Sequence, residues 1–260
     1  MKTTIAPLTG WRVVVPRKGE WAERVAGMLR AEGAEPLIAP LIRTEPTHSP
    51  EYAQALRRLA EGGYDWLVVT SAAAAETLAG TVPAPGTRVA AVGPATAAAL
   101  ADVGIAVDLV PGSEHSACGL LDAWPRPGDG PARLLAPQSD LASPELADGL
   151  RELGHTVDTP TAYLTIPVEL DADALAALGS ASRRAALVTS GSVATSLAAQ
   201  REHLPGDLVI ACIGERTAQA AREAGLEVAL IAPERSADAL VAALARFAAG
   251  RPGDPAREHS

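Results

Sequence analysis

Aromatic residues make up 3% of the 260-residue chain, with one Phe, three Tyr and four Trp, so a stacking platform for single-stranded nucleic acid is excluded. Two cysteines, Cys118 and Cys212, stand in no CxxC or CxxH spacing and read as buried or half-buried thiols of a reducing compartment. Five histidines lie far apart, so no metal-ligand spacing forms. No run of 18 apolar residues occurs, and the N-terminal MKTTIAPLTG has no apolar core of the signal-peptide kind. A cytoplasmic protein without a membrane partner is expected. Basic charge is in deficit: the net charge of −9 argues against nucleic acid or an anionic membrane as a general partner, though not against a small anion in a local cleft. GxGxxG, GxxxxGK[ST], GxSxG and HExxH are all missing, which removes the usual supports of nucleotide cofactors, covalent serine catalysis and zinc hydrolysis. No cofactor and no metal are expected.

What is present is a duplication. Residues 88–111, RVAAVGPATAAALADVGIAVDLVP, read as a strand, a glycine turn, a helix and a second strand. Residues 208–233, LVIACIGERTAQAAREAGLEVALIAP, repeat that unit at a constant offset of 121, pairing Gly93 with Gly214, Thr96 with Thr217 and Gly104 with Gly225. The same offset pairs Arg12 with Arg133, Pro16 with Pro137, Gly33 with Gly154 and Pro46 with Pro167. The VTS of 69–71 returns at 188–190, and PGSEHSACGLL returns near Pro233 as PERSADALVAAL. The repeat thus covers nearly all of residues 11–249. Strand RVVVP (12–16), a helix at about 19–32 closed by Gly33, a strand at 37–39, an extended segment 41–46 and a helix at 52–61 set the first spacing. A strand at 66–69 then leads through Thr70-Ser71 into an alanine-rich helix at 72–79, with a short helix at 116–124. PRPGDGP (125–131) is a cluster of helix and strand breakers, and the tail from 250 is rich in Pro, Gly and charge, which predicts a frayed end at 251–260. Strands alternating with helices at this spacing predict an α/β fold of two similar lobes with parallel sheets and right-handed crossovers, leaving a cleft as the default ligand site.

In open parallel sheets, ligands lie beyond the carboxyl ends of strands, against helix N-termini. Four such ends carry hydroxyls here: Ser71 and Ser190, each followed by a small residue (Ala72, Gly191), and Thr96 and Thr217 after the turns of Gly93 and Gly214. Each is either a plain helix cap or part of an anion receptor. Four related ends together favour a polycarboxylate or polyphosphate ligand. Ser116 and Ser236 are weaker members of the set, because a serine before an apolar helix is commonplace. Basic residues near strand ends are Arg17, Lys18, Arg216 and Arg235; charge in only one copy is not demanded by the scaffold, and Arg17 is the first choice among them, against the alternative of a solvated surface arginine. Tyr163, in AYLTIP, has Ile42 as its repeat mate, so the scaffold does not require a phenol there. It is either a hydrogen-bond donor to a departing hydroxyl or a half-buried aromatic.

VVVPRK, VVTSAAAAETL, AAVGPATAAALADVG, AYLTIP, LVTSGSVATSL and IGERTAQAAREAGL, in that order over residues 11–249, resemble the uroporphyrinogen-III synthase family. The resemblance implies flavodoxin-like lobes joined by a two-stranded linker, one lobe inserted in the other: lobe 1 from residues 1–40 and 168–250, lobe 2 from 47–161, and linker strands at 41–46 and 162–167. It implies a cofactor-free cyclisation of hydroxymethylbilane with inversion of ring D and loss of water. It makes Tyr163 the residue that assists departure of the hydroxyl, and it makes Ser71, Ser190, Thr96 and Thr217 part of the substrate site. The Glu215–Arg216 pair departs from the small or proline residues usual in the family and leaves the role of Arg216 open. A monomer is expected. The competing readings are a non-catalytic binding or regulatory module for a polycarboxylated ligand, and a sugar- or nucleotide-phosphate enzyme, for which no general base is evident.

Overall fold

The computed structural model describes residues 6–112, 114–125 and 130–250, so the expected frayed tail and the middle of the breaker cluster lie outside the described residues. In chain order the elements are β1 (Trp11–Val15), α1 (Glu20–Ala31), β2 (Glu35–Ile38), β3 (Ile42–Pro46), α2 (Pro50–Ala60), β4 (Trp66–Val69), α3 (Ala72–Glu76), β5 (Arg88–Ala91), α4 (Pro94–Asp102), α5 (Ala117–Asp122), β6 (Arg133–Leu135) and β7 (Gln138–Ser139). They continue with α6 (Glu145–Glu152), β8 (Thr156–Asp158), β9 (Thr161–Pro167), α7 (Ala172–Ser180), β10 (Arg183–Val188), α8 (Gly191–Ala199), a 3-10 turn at Arg201–His203, β11 (Val209–Cys212), α9 (Glu215–Glu223), β12 (Val228–Ile231) and α10 (Ala237–Gly250). The chain divides into two compact units, Met1–Arg43 with Ile166–Ser260, and Thr44–Thr165. It passes from one to the other within β3 and returns within β9, strands of a three-stranded sheet ordered β3-β9-β7.

The discontinuous unit is built on a five-stranded parallel sheet ordered β12-β11-β10-β1-β2. Numbered in their own chain order, these strands run 5-4-3-1-2, the flavodoxin arrangement. Alternation along the strands feeds two apolar layers. Val13, Val15, Ala185 and Leu187 pack against α1 and α10 through Val25, Leu29, Leu240 and Leu244. Val14, Ala186 and Val188 face the other way, against α7, α8 and α9 through Leu178, Val193, Leu197 and Ala218. Strands buried on both faces read as continuous apolar runs, as VVV and AALV do.

The inserted unit carries β5-β4-β6-β8, also parallel, and a parallel bridge from Ala90 to Leu109 extends the β5 edge. Aligned by the 121-residue repeat, this is the same spatial order; along the chain it starts in the middle of the motif, so the second copy is a circular permutation of the first. Leu67, Val69, Val89 and Ala91 face α2, α3 and α4, whereas Trp66, Val68, Ala90 and Leu134 face α5 and α6. Helix ends repeat too: Gly33 and Gly154, at φ 88 and 92, follow α1 and α6 in the left-handed region that only glycine enters without strain.

Two expectations need correction. The alanine-rich helix stops at Glu76 rather than at 79, because the Thr77 hydroxyl donates to the Ala74 carbonyl at 2.7 Å and the chain goes on in turns. Cys118 is exposed, its Sγ 3.3 Å from Glu145 Oε1, whereas Cys212 is buried as expected.

Candidate functional site

Apart from Ser116, the site residues singled out from the sequence lie at or just beyond the carboxyl end of a parallel strand, or in β9. In the discontinuous unit, Arg17 follows β1, Ser190 and Gly191 follow β10, Thr217 follows β11 and Ser236 follows β12. The four strands are neighbours, so these residues share one edge of one sheet. The helix after β1 covers one face and the helix after β10 the other, which places the topological switch point between Arg17 and Ser190. In the inserted unit, Ser71 and Ala72 follow β4, Gly93 and Thr96 follow the adjacent β5, and Ser116 precedes α5.

The hydroxyls divide into two kinds. Ser71 and Ser190 are N-caps: Ser71 Oγ accepts the Ala74 N–H at 3.1 Å, and Ser190 Oγ accepts the Val193 N–H at 3.3 Å. Thr96 and Thr217 are not caps. They are buried third residues of α4 and α9, whose cap positions are Gly93 and Gly214 without a side-chain bond. Those helices therefore begin on bare backbone N–H groups, with their positive dipole ends uncovered by any capping oxygen of their own.

The two cap glycines are extended rather than left-handed, at φ −174 and 178, so backbone freedom is not why glycine stands there. Space is. A Cβ on Gly93 would lie 3.0 Å from His115 Cβ, and one on Gly214 would lie 2.9 Å from Arg235 Cγ. A basic side chain thus lies against the start of the helix in both units. The sequence reading named Arg235 and missed His115; the signal was there, since EHSA at 114–117 and ERSA at 234–237 occupy matching places in the two copies. Gly191 is tight for another reason: its Cβ would stand 3.3 Å from Ala220 Cβ, so α8 and α9 approach closely there.

Tyr163 is paired with Ser139 of β7, and Asp140 donates its N–H to the Tyr163 carbonyl at 3.2 Å. Its ring packs in the core layer of Leu67, Val69 and Ala74, and the residue is 9% exposed. The hydroxyl reaches Ser71 Oγ at 3.1 Å. Ser71 and Tyr163, 92 positions apart, are thereby brought into one hydrogen-bonded pair. In the other unit Ser190 Oγ instead sits 3.0 Å from Ser192 Oγ.

Arg17 places its guanidinium over the Trp21 ring, 5.3 Å from the centroid. The residue keeps exposed surface, yet its guanidinium is desolvated enough to lower the pKa from the ordinary value; an arginine remains protonated at neutral pH all the same. Ser116 accepts from Gly119 N at 3.1 Å and donates to Glu114 Oε1 at 2.6 Å. Ser236 Oγ accepts the Ala239 N–H at 3.1 Å. Thr189, next to Ser190, was not singled out from the sequence; it is 7% exposed and its Oγ1 has no hydrogen-bond partner among the described residues. No group of His, Cys, Asp and Glu suited to a metal ion occurs among the described residues, and no described helix is long and apolar enough to cross a membrane.

Three comparisons bear on this arrangement. A protein-family model described as uroporphyrinogen-III synthase HemD matches residues 23–242. A uroporphyrinogen-III synthase of Synechococcus elongatus is 28% identical over 260 residues, covering 93% of this chain and 97% of its own. A porphyrin biosynthesis protein HemD of Ruminiclostridium josui is 25% identical over 258 residues, covering 94% of this chain; the chain spans half the length of that relative. Among solved structures, a mutant uroporphyrinogen III synthase of Thermus thermophilus superposes with a TM-score of 0.59 at 22% identity, over 92% of this chain and 99% of that one, which shows a shared fold.

Proposed function

The chain belongs to the uroporphyrinogen-III synthase family, and on that footing we propose that it is a cyclising hydro-lyase, converting hydroxymethylbilane to uroporphyrinogen III with loss of water and inversion of ring D. The observation that carries this reading is the doubled set of helix starts at strand carboxyl ends, in a chain matched by the family model over most of its length. The substrate bears eight carboxylates. Bare helix N-termini at Gly93 and Gly214, with His115 and Arg235 against them, suit such a ligand; each helix end contributes roughly 0.3–1 kcal/mol toward an exposed carboxylate and up to ~2 kcal/mol toward a partly buried one.

Tyr163 supplies the proton. Its O–H donates to the hydroxyl of the substrate's terminal hydroxymethyl group, the C–O bond breaks, and water departs from an electrophilic azafulvene cation. Ring D then attacks the cation through its substituted carbon, the bond from that carbon to the methylene shared with ring C breaks, and the methylene rejoins ring D at its other α carbon. The proton on that carbon is lost as the ring regains aromaticity, and the Tyr163 phenolate takes a proton back. The remaining work is orientation, since the free bilane closes without inversion; holding reacting carbons in the attack geometry supplies up to roughly 7–11 kcal/mol. Arg17, fixed against Trp21, offers a permanent positive charge to one propionate or acetate arm. The substrate is anionic, and although the chain is acidic overall, Arg17, Lys18, Arg216 and Arg235 lie just beyond strand carboxyl ends. The protein acts as a monomer, in the cytoplasm, without cofactor.

Incubating the full chain with freshly made hydroxymethylbilane tests the reading. Uroporphyrinogen III forming faster than the blank is the expected result; type I alone at the spontaneous rate refutes it.

A further inference from the structure

We infer that Ser71 is a positioning residue for Tyr163, orienting the phenol and strengthening it as a donor through the first turn of α3. The inference rests on the reading of Tyr163 as the proton donor in the proposed cyclisation.

A serine hydroxyl has one proton and two lone pairs. One lone pair of Ser71 is taken by the Ala74 N–H at 3.1 Å, and Tyr163 Oη stands 3.1 Å away. Two directions are open to the second bond. If Tyr163 donates to Ser71, the phenol proton is spent inside the protein and cannot reach a substrate. If Ser71 donates to Tyr163, the three groups line up head to tail, from Ala74 N–H to Ser71 O–H to Tyr163 O–H, and the phenol proton points onward. Only the second direction is compatible with proton donation. Each bond in such a line polarises the next, and a donor aimed at Tyr163 Oη stabilises the negative charge that grows there as the proton leaves.

The surroundings fix everything about Tyr163 except this last contact. Pairing with Ser139 and the bond from Asp140 hold its backbone, and the core layer holds its ring. The hydroxyl alone has rotational freedom, and Ser71 is placed to take it away. Comparison of the two units separates this role from that of a cap. Ser190 caps α8 as Ser71 caps α3, but its oxygen meets Ser192, and Ile42 stands where a phenol would be needed. Capping is thus common to both copies, while the bond to a phenol belongs to one.

A double-mutant cycle on the full chain tests this, with kcat for type III formation from hydroxymethylbilane as the readout. Ser71→Gly is the informative change, since glycine is accepted at a cap position with little loss of helix stability, and thermal unfolding of each variant checks the fold. Ser71→Gly should lower kcat about fivefold, the worth of one neutral hydrogen bond, and by less than about 1.5-fold when Tyr163 is already Phe. Ser71→Thr, which keeps the hydroxyl, should recover most of the loss. An equal loss from Ser71→Gly with and without the phenol overturns the inference, as does a Ser71→Gly enzyme of full activity. A wild-type chain that yields only type I product at the spontaneous rate is a different failure: it removes the proposed function, and the inference with it.

Discussion

A methyl group on Gly93 would come within 3.0 Å of His115 Cβ and 3.2 Å of its Cγ. The corresponding methyl on Gly214 would meet Arg235 at Cγ and Cδ, 2.9 and 3.5 Å away. Both glycines are extended, so alanine is acceptable to the backbone and the whole penalty is steric. The two contacts differ in compliance, because His115 presents the rigid root of its side chain and Arg235 a mid-chain methylene that can swing aside.

Gly93→Ala should therefore destabilise the chain by about 1–3 kcal/mol, the usual range for overpacking, and Gly214→Ala by less. Adding Arg235→Ala should restore the stability lost in Gly214→Ala. Urea unfolding of the three variants, with Arg235→Ala alone as the reference for the double, checks this; a Gly214→Ala loss that persists without the Arg235 side chain would show that the crowding is elsewhere.

Removing the Tyr163 hydroxyl leaves the ring packing in place and takes away only the donor. Tyr163→Phe should keep the thermal midpoint near that of wild type and lower kcat by roughly 10–100-fold, at or below the lower end for a general acid, because orientation carries most of the acceleration. KM should change little. Abolished activity in a folded variant would make the phenol indispensable, and unchanged kcat would remove it from the mechanism.

A buried network in the discontinuous unit holds the backbone on either side of the chain's exit and return. Ser196 Oγ donates to the Leu41 carbonyl at 2.6 Å and lies 3.3 Å from that of Val168, while Gln200 Nε2 donates to Val168 O at 3.1 Å and its Oε1 accepts from Leu170 N at 2.8 Å. Ser196→Ala removes one donor from the Leu41 carbonyl, which keeps the Val168 N–H at 2.8 Å, and should cost about 0.5–1.5 kcal/mol. Gln200→Leu should cost more, since three bonds to backbone go: to the Val168 and Ser196 carbonyls and from Leu170 N. Denaturant midpoints at unchanged m-value check both.

Burial pushes the Cys212 thiol from its ordinary 9.0 up to about 11. Between those values the unfolded chain has released the proton and the folded chain has not, so stability present below pH 9 is lost as pH rises toward 11. Tyr52 and Tyr64, also raised chiefly by burial, act in the same direction at higher pH. Cys212→Ala should flatten the fall between pH 9 and 11 relative to wild type, read as the difference in urea midpoint across that window. Parallel curves would show that the thiol does not contribute.

Much of this was readable before any coordinates. The duplication at 121 gave the alternation of strands and helices, since buried parallel strands such as VVV and AALV are apolar throughout and glycines such as Gly33 and Gly154 mark helix ends by conformation alone. Local chemistry also identified Ser71 and Ser190 as helix starts. Thr96 and Thr217, open between cap and anion receptor in the sequence, are buried third residues of helices, because the turn glycine three positions before each takes the cap position. Local pattern failed where the outcome depends on residues distant in sequence. Cys118 is exposed since its helix turns the other face, with Leu120, toward the core. Neither the Ser196–Leu41 bond, spanning 155 positions, nor the Ser71–Tyr163 pair leaves any trace in local pattern.

The inversion of ring D is open to direct observation. Hydroxymethylbilane labelled with carbon-13 at the methylene joining rings C and D, and at the ring-D carbon bonded to it, shows a one-bond coupling between the two labels. Inversion breaks that bond and joins the methylene to the opposite side of the ring. With the full chain present, the coupling should vanish from the product, as type III closure requires. A product that forms in the protein's presence with the coupling fully retained would contradict the assigned reaction.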